Sequence, residues 1–171
     1  MNRATKSANK SGKKKRSTST DSVNTMSSTG APIVLDVLPE LLGYNVRRAQ
    51  IVLWRDFGAS VADGAVRPGL FSILLLIGSN PGIAQIDLAT QLSVDKASIV
   101  ALIDRLELAG WVQRKRSTED RRRQEICATP AGIKKLAQLK REVQEHDDKY
   151  CKLYTAEELQ LFLSFLQRLY Q

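Results

Sequence analysis

The 171-residue chain is poor in the residues that build metal centres, disulfide scaffolds and catalytic pairs. It has one histidine, His146, and two cysteines, Cys127 and Cys151. Two cysteines are too few for a disulfide framework and point to a reducing environment, with each thiol a packed structural group. His146 stands beside Asp147 and Asp148 in a charged helical stretch, where consecutive side chains diverge and do not converge on one ion. A glycine-rich phosphate loop and a nucleophile elbow are both missing. Catalysis is therefore not expected, and no metal or cofactor is implied. The longest unbroken apolar runs, Ile73–Ile77 and Ile99–Ile103, fall far short of the roughly 20 residues of a membrane span. No secretory signal is visible, because the basic start leads into Ser and Thr and not into an apolar stretch. That start shares the basic, Ser-rich composition of a mitochondrial transit peptide but lacks an apolar helical face. A soluble, intracellular protein is the expectation.

Charge is present but unevenly placed. Lys plus Arg number 26 against 18 Asp plus Glu, for a net +8. Residues 1–30 carry seven basic residues against one acid, so six of the eight units sit there. This segment is Lys, Ser, Thr and Asn with almost nothing to bury, and disorder is expected of it. A solvated tail and a nonspecific DNA-contacting arm both fit Lys13–Arg16, and Met26 is an alternative start of translation. With 43% hydrophobic residues overall, the remainder can bury a core.

From residue 31 the periodicity is mostly helical. A first helix is expected over Asp36–Phe57, and a second from Pro68 in its first turn to about Ile77. Asn80-Pro81-Gly82 breaks the chain. Short elements follow at Ile83–Leu92 and Asp95–Ala109, with Gly110 as a C-terminal cap. An extended segment starts at Trp111, the charged stretch Gln113–Arg123 is expected as a loop, and Glu125–Thr129 as a short strand. Thr129-Pro130 opens a long helix to about Leu153. Thr155 and Glu158 form a capping box for a last helix.

The chemistry concentrates between Ile83 and Thr129. Leu92-Ser93-Val94-Asp95 has the length of a helix-turn-helix turn, with Ser93 or Asp95 able to cap the second helix, although the usual turn glycine is absent. Projection of Asp95–Ala109 puts Ile99, Leu102, Ile103 and Leu106 on one face. The opposite face carries Ala97, Val100 and Ala101, flanked by Lys96 and Ser98, with Arg105 further along. Small side chains let a helix approach base edges closely, and Lys96 and Ser98 can hydrogen-bond bases or phosphates. An ordinary surface helix rich in alanine for propensity fits this segment equally well. The next feature separates the two. Arg114, Lys115, Arg116, Arg121, Arg122 and Arg123 crowd the stretch Gln113–Arg123 against only Glu119 and Asp120. Such a basic hairpin tip can place arginine in the narrow, negative minor groove while the helix occupies the major groove. Asp120 is expected to fix an arginine or a backbone group in that loop.

Pro81-Gly82-Ile83, Asp95 through Val100, Leu102 through Glu107, Gly110-Trp111-Val112, Ser117 through Arg122, Thr129 and Gly132 together resemble the MarR family of winged helix-turn-helix transcriptional regulators, over about residues 36–171. The resemblance implies a mainly α fold with a small β-wing, a winged helix-turn-helix plus a helical dimerisation region. After the compositionally distinct tail (1–30), it implies an N-terminal dimerisation helix (31–58), a DNA-binding region (59–129) and C-terminal dimerisation helices (130–171). Asp120 and Arg122 match the wing residues that position or enter the minor groove. Ala101 stands where many relatives carry a longer polar or basic side chain, which shifts weight to the wing and to DNA shape. Ala128 likewise replaces a bulkier residue before the threonine.

The implied activity is that of a ligand-responsive repressor, acting in a bacterial cytoplasm as a homodimer on a pseudo-palindrome in double-stranded DNA. A nonspecific or architectural DNA-binding protein with the same winged helix is the alternative. A dimer also follows from the residues: Leu159, Phe162, Phe165, Leu166 and Leu169 make the last helix apolar around its girth, so it needs cover on more than one side. The cover is either a second subunit or the chain's own helices. Relatives often bind small aromatic or anionic effectors between these regions, and Tyr44, Arg47, Arg48, Trp54 and Phe71 are the candidates to border such a pocket. Core packing and solvated charge account for the same residues.

Overall fold

The computed structural model describes residues 27–61, 66–116 and 124–171. Among them the elements run α1 (Leu42–Ser60), α2 (Pro68–Ser79), β1 (Ile83–Ala84), α3 (Gln85–Gln91), α4 (Lys96–Leu108), β2 (Val112–Arg116), β3 (Gln124–Ala128), α5 (Pro130–Cys151) and α6 (Ala156–Gln167). The fold is mainly helical with one small sheet, as the periodicity predicts. The described residues fall into two units, one up to Tyr44 and the other from Asn45 to Gln171. In the first, Ser27–Ala31 closes a turn around Gly30, whose φ is +79°. A single 3₁₀ turn, Leu38–Glu40, follows with Pro39 in its first turn. The expected helical start at Asp36 is displaced accordingly: Asp36 has φ +51°, which a helix does not admit.

In the second unit α2 is central. Its sequence PGLFSILLLIGS is apolar on nearly every side, and Leu70, Ile73, Leu74 and Ile77 are all buried. It packs on α4, α5 and β3. Each such side chain taken from water contributes about 1.5–3 kcal/mol. Ile99, Ile103 and Leu106 of α4 join that core with Val112, Ile126, Leu136 and Leu139, and Leu102 packs at its margin. This is the inner face expected of α4.

The sheet is antiparallel in the order β1-β3-β2. Ile83 lies opposite Ile126, and Arg114 opposite the same Ile126 from the other side. The expectation of a loop from Gln113 is corrected for its first part: Gln113–Arg116 is strand, paired residue by residue with Gln124–Cys127. Charge made these positions resemble a loop, but cross-strand pairing overrides that weak local preference. The start Ile83-Ala84 also becomes strand and not helix. Residues 117–123 lie outside the described residues.

The turn from α3 to α4 is tight. The Val94 N–H donates to the Ala89 carbonyl at 3.0 Å. Ser93 occupies the left-handed region at φ +51° where glycine is the common choice, a conformation costing about 1–2 kcal/mol for a residue with a Cβ. Of the two residues able to cap α4, Asp95 does so. Its carboxylate accepts from the Ser98 N–H at 2.9 Å and from the Ser98 hydroxyl at 2.6 Å.

At the other end of α4, three elements meet. Gly110 has φ +71° and ends the helix as expected. The Thr129 hydroxyl donates to the Gly110 carbonyl at 2.6 Å and accepts from the Gly132 N–H at 3.0 Å. The Thr129 N–H donates to the Trp111 carbonyl at 2.9 Å. Gly132 lies so close to Trp111 that a Cβ there would overlap its backbone carbonyl. The close approach, and not helix-breaking, is the reason for glycine inside α5.

Gly132→Ala is expected to destabilise the chain by about 1–3 kcal/mol, since backbone must move to admit the methyl group. Gly58→Ala, whose new Cβ meets nothing within 4 Å, should instead gain about 0.5–1 kcal/mol; denaturant unfolding of both variants checks the contrast. A second expectation concerns Asp95, whose carboxyl is held below its ordinary pKa by the Ser98 hydroxyl and then the Ser98 N–H. A depressed folded-state pKa contributes stability above the unfolded value, lost as pH falls through the folded one. Asp95→Ala should therefore lower the thermal midpoint at pH 7, with the gap to wild type closing below about pH 4.

Candidate nucleic-acid interface

The capped α4 presents Lys96, Ala97, Ser98, Ala101 and Arg105 to solvent, with Val100 half-buried beneath them. Ser93 is exposed in the turn that leads into the helix. Thus the small side chains and the cations expected to meet DNA do share the open side of α4. The Ser98 hydroxyl is already bonded to Asp95, so it offers its lone pairs before its proton. Beside the helix, Lys115 and Arg116 are exposed at the described end of β2. Asp120, Arg121, Arg122 and Arg123 lie outside the described residues.

Arg114, expected among the DNA contacts, is engaged within the chain. Its guanidinium turns back to α4, where Nη2 is 2.6 Å from Asp104 Oδ1 and Nη1 pairs with Glu107. The Arg114 N–H donates to the other Glu107 oxygen at 3.1 Å. Partial burial works against the charge. The two carboxylates outweigh that effect and hold the guanidinium above its ordinary pKa. Asp104 and Glu107 were not singled out from the sequence. One signal was available: strand alternation puts Arg114 on the side of buried Val112, facing α4 and not solvent.

A shallow cleft of about 510 Å³ adjoins this region, lined by Ala84, Gln85, Ile86, Ala89, Lys96, Ile99 and Gln124. None of the five residues expected to border an effector lines it. Tyr44 is half-buried, Arg47, Arg48 and Trp54 are exposed on α1, and Phe71 packs against the core from α2.

Away from α4, a second polar cluster that no local motif announces lies between α1 and α5. Lys149 Nζ lies 2.9 Å from Asp56 Oδ2. The lysine hydrogen bond holds the Asp56 carboxyl below its ordinary pKa against the opposing effect of burial, and Asp56 in turn raises Lys149. His146 is buried beneath this pair against Phe57 and Tyr150, its Nε2 3.5 Å from Asp56 without a hydrogen-bond partner. Among the described residues no three metal-ligating side chains converge. Cys127 and Cys151 are half-buried and unpaired. Burial, then Asp147, pushes the Cys151 thiol up and away from its reactive thiolate form.

The last helix is unlike the rest. α6 is capped by the expected reciprocal bonds between Thr155 and Glu158, yet it buries no residue. Phe162, Phe165 and Leu169 are exposed, Phe165 at 55%, while Leu159 and Leu166 are half-buried. Among the described residues, none covers α6 well enough to bury any of its side chains. On α1, Ile51, Val52 and Trp54 are exposed as well. No described helix is long and apolar enough to cross a membrane.

Comparison with known proteins agrees with this geometry. The MarR family model matches residues 67–123, from the start of α2 into the wing. A protein described as the transcriptional regulatory protein for the hcr operon of Thauera aromatica is 35% identical over 131 residues, 76% of this chain and 79% of its own. The transcriptional repressor CouR, solved on a 23-mer DNA duplex, superposes with a TM-score of 0.78 at 35% identity, over 82% of this chain and all of that one. CouR bound to p-coumaroyl-CoA gives 0.73 at 34% identity, over 80% of this chain and 96% of that one. With a helix-turn-helix, a paired wing and relatives of this kind, the chain belongs to the MarR family of transcriptional regulators.

Proposed function

We propose that this regulator is a ligand-responsive repressor that binds a pseudo-palindromic operator as a homodimer, with α4 in the major groove and the wing in the adjacent minor groove. One observation carries the reading: α4 is capped at its N-terminus and turns a stripe of small residues flanked by Lys96 and Arg105 to solvent, beside a basic wing. That the CouR structure at 35% identity is a DNA complex supports the same placement. Ala97 and Ala101 admit the helix close to base edges and can meet thymine methyl groups. Lys96, Arg105 and Arg116 supply phosphate contacts, and Arg121, Arg122 and Arg123 the minor-groove charge. The sequence division into tail, N-terminal helix, DNA-binding region and C-terminal helices is retained as a functional one.

The dimer is supported by α6. An apolar helix that the described residues leave uncovered calls for a second copy, and the exposed apolar residues of α1 extend the same demand. Two-fold symmetry then sets half-sites about 34 Å apart, one turn of DNA. For the effector, Arg47, Arg48 and Trp54 on α1 offer cations and an aromatic surface that a partner subunit could close into a pocket with Tyr44 and Phe71. An aromatic anion fits these groups, and p-coumaroyl-CoA in the CouR complex is of that class. The architectural alternative shares the winged helix and differs in what it protects on DNA.

Footprinting with the full chain should protect a defined palindrome; uniform coating of DNA without preference would favour the architectural reading. Arg122→Ala should weaken binding to the protected site by about tenfold or more while leaving the dimer intact. Unchanged affinity would remove the wing from the reading. Phe165→Asp should convert a dimer to a monomer in sedimentation without loss of helical signal, because the side chain packs little within its own subunit. A dimer that survives this change would place the interface elsewhere.

A further inference from the structure

The pairing of Arg114 with α4 has a role that no DNA contact explains. Glu107 receives both the Arg114 side chain and, at 3.1 Å, its backbone N–H. Asp104, one turn earlier, takes the other arm of the guanidinium at 2.6 Å. A planar fork held by two carboxylates fixes direction as well as distance. The grip falls in the middle of β2, opposite buried Ile126 of β3, so it acts on both strands that carry the wing. Asp104 also lies on the exposed side of α4, in line with Ala97 and Ala101. Unpaired, it would set a negative charge among the groups that approach phosphate.

On the reading that α4 and the wing enter neighbouring grooves, we propose that Arg114 is a positioning residue that clamps the wing to the recognition helix and offsets one of the two negative charges of Asp104 and Glu107. It touches no DNA. The clamp sets the separation between the two reading elements, and that separation must match the spacing of the grooves.

The test is a charge-swap cycle on the full-length chain, with Arg114→Glu, Glu107→Arg and the double variant. The probe is a duplex enriched from a random pool by the wild-type protein, beside a scrambled duplex of equal length. Each single variant should lose about tenfold or more on the enriched duplex, and the double should return to within about threefold of wild type. In the double variant, whose net charge equals that of wild type, the salt dependence of binding should match wild type, because no phosphate contact is lost. If the double binds as weakly as Arg114→Glu and the salt slope falls by about one unit, Arg114 contacts phosphate and the clamp is wrong. Single variants that bind like wild type overturn it equally.

Hydrogen exchange in the free protein supplies a readout independent of DNA. Arg114→Gln, milder than the charge reversal, should speed exchange of the β2 and β3 amides while those of α2 and α5 stay protected, and the swapped pair should restore it. Unchanged exchange in the wing strands would overturn the clamp. Should the wild-type chain enrich no sequence, the operator reading fails on its own, and the exchange result decides the clamp separately.

Discussion

The architecture hangs on the contact between the Trp111 carbonyl and Gly132. At that point the end of α4, the root of β2 and the first turn of α5 come within backbone contact of one another. Thr129 closes the junction with both its hydroxyl and its N–H. A side chain at residue 132 would force these three elements apart. Everything that faces DNA in the proposed mode hangs from one side of the junction, and the long helix that leads to α6 hangs from the other. The two ends are therefore joined through backbone and not through a flexible link, a rigidity that suits a regulator in which distant parts must report on each other.

The polar groups are placed in keeping with this. On α4, Asp95 holds the N-terminus and Arg114 draws Asp104 and Glu107 to the wing, so acids that would repel phosphate are already occupied. The cations that stay solvent-facing, Lys96, Arg105, Lys115 and Arg116, lie around the small-residue stripe. On the far side, Asp56 and Lys149 join α1 to α5 over a buried imidazole. The same handful of charge types thus serves cohesion where an opposite charge lies within reach and is left to solvent where, among the described residues, none does.

Much of the fold was legible in the sequence because its signals are local. Thr129-Pro130, the Thr155–Glu158 box and Gly110 each specify a helix end within four residues, and all three stand where expected. The inner face of α4 followed from a 3.6-residue period. What escaped was non-local. Strand β1 is two residues long and exists only because Ile83 and Ala84 meet Ile126 and Glu125 some forty positions away. Gln113–Arg116 looked like a loop because its charge hid the pairing that makes it a strand. The candidate site was legible in the same proportion: the stripe on α4 could be projected, whereas the turn of Arg114 toward α4 depends on where β2 lies.

The uncovered α6 has a consequence for the cell as well as for the molecule. With Phe162, Phe165 and Leu169 left to a second copy, assembly in the proposed dimer obeys mass action. Occupancy of an operator then rises with the square of the amount of chain when the regulator is scarce, and only in proportion once dimers predominate. A small change in abundance near that crossover acts on the promoter more sharply than the affinity of a single winged helix would allow. The apolar surface that makes this helix an awkward neighbour in solution thus sets a threshold on the copy number at which control begins.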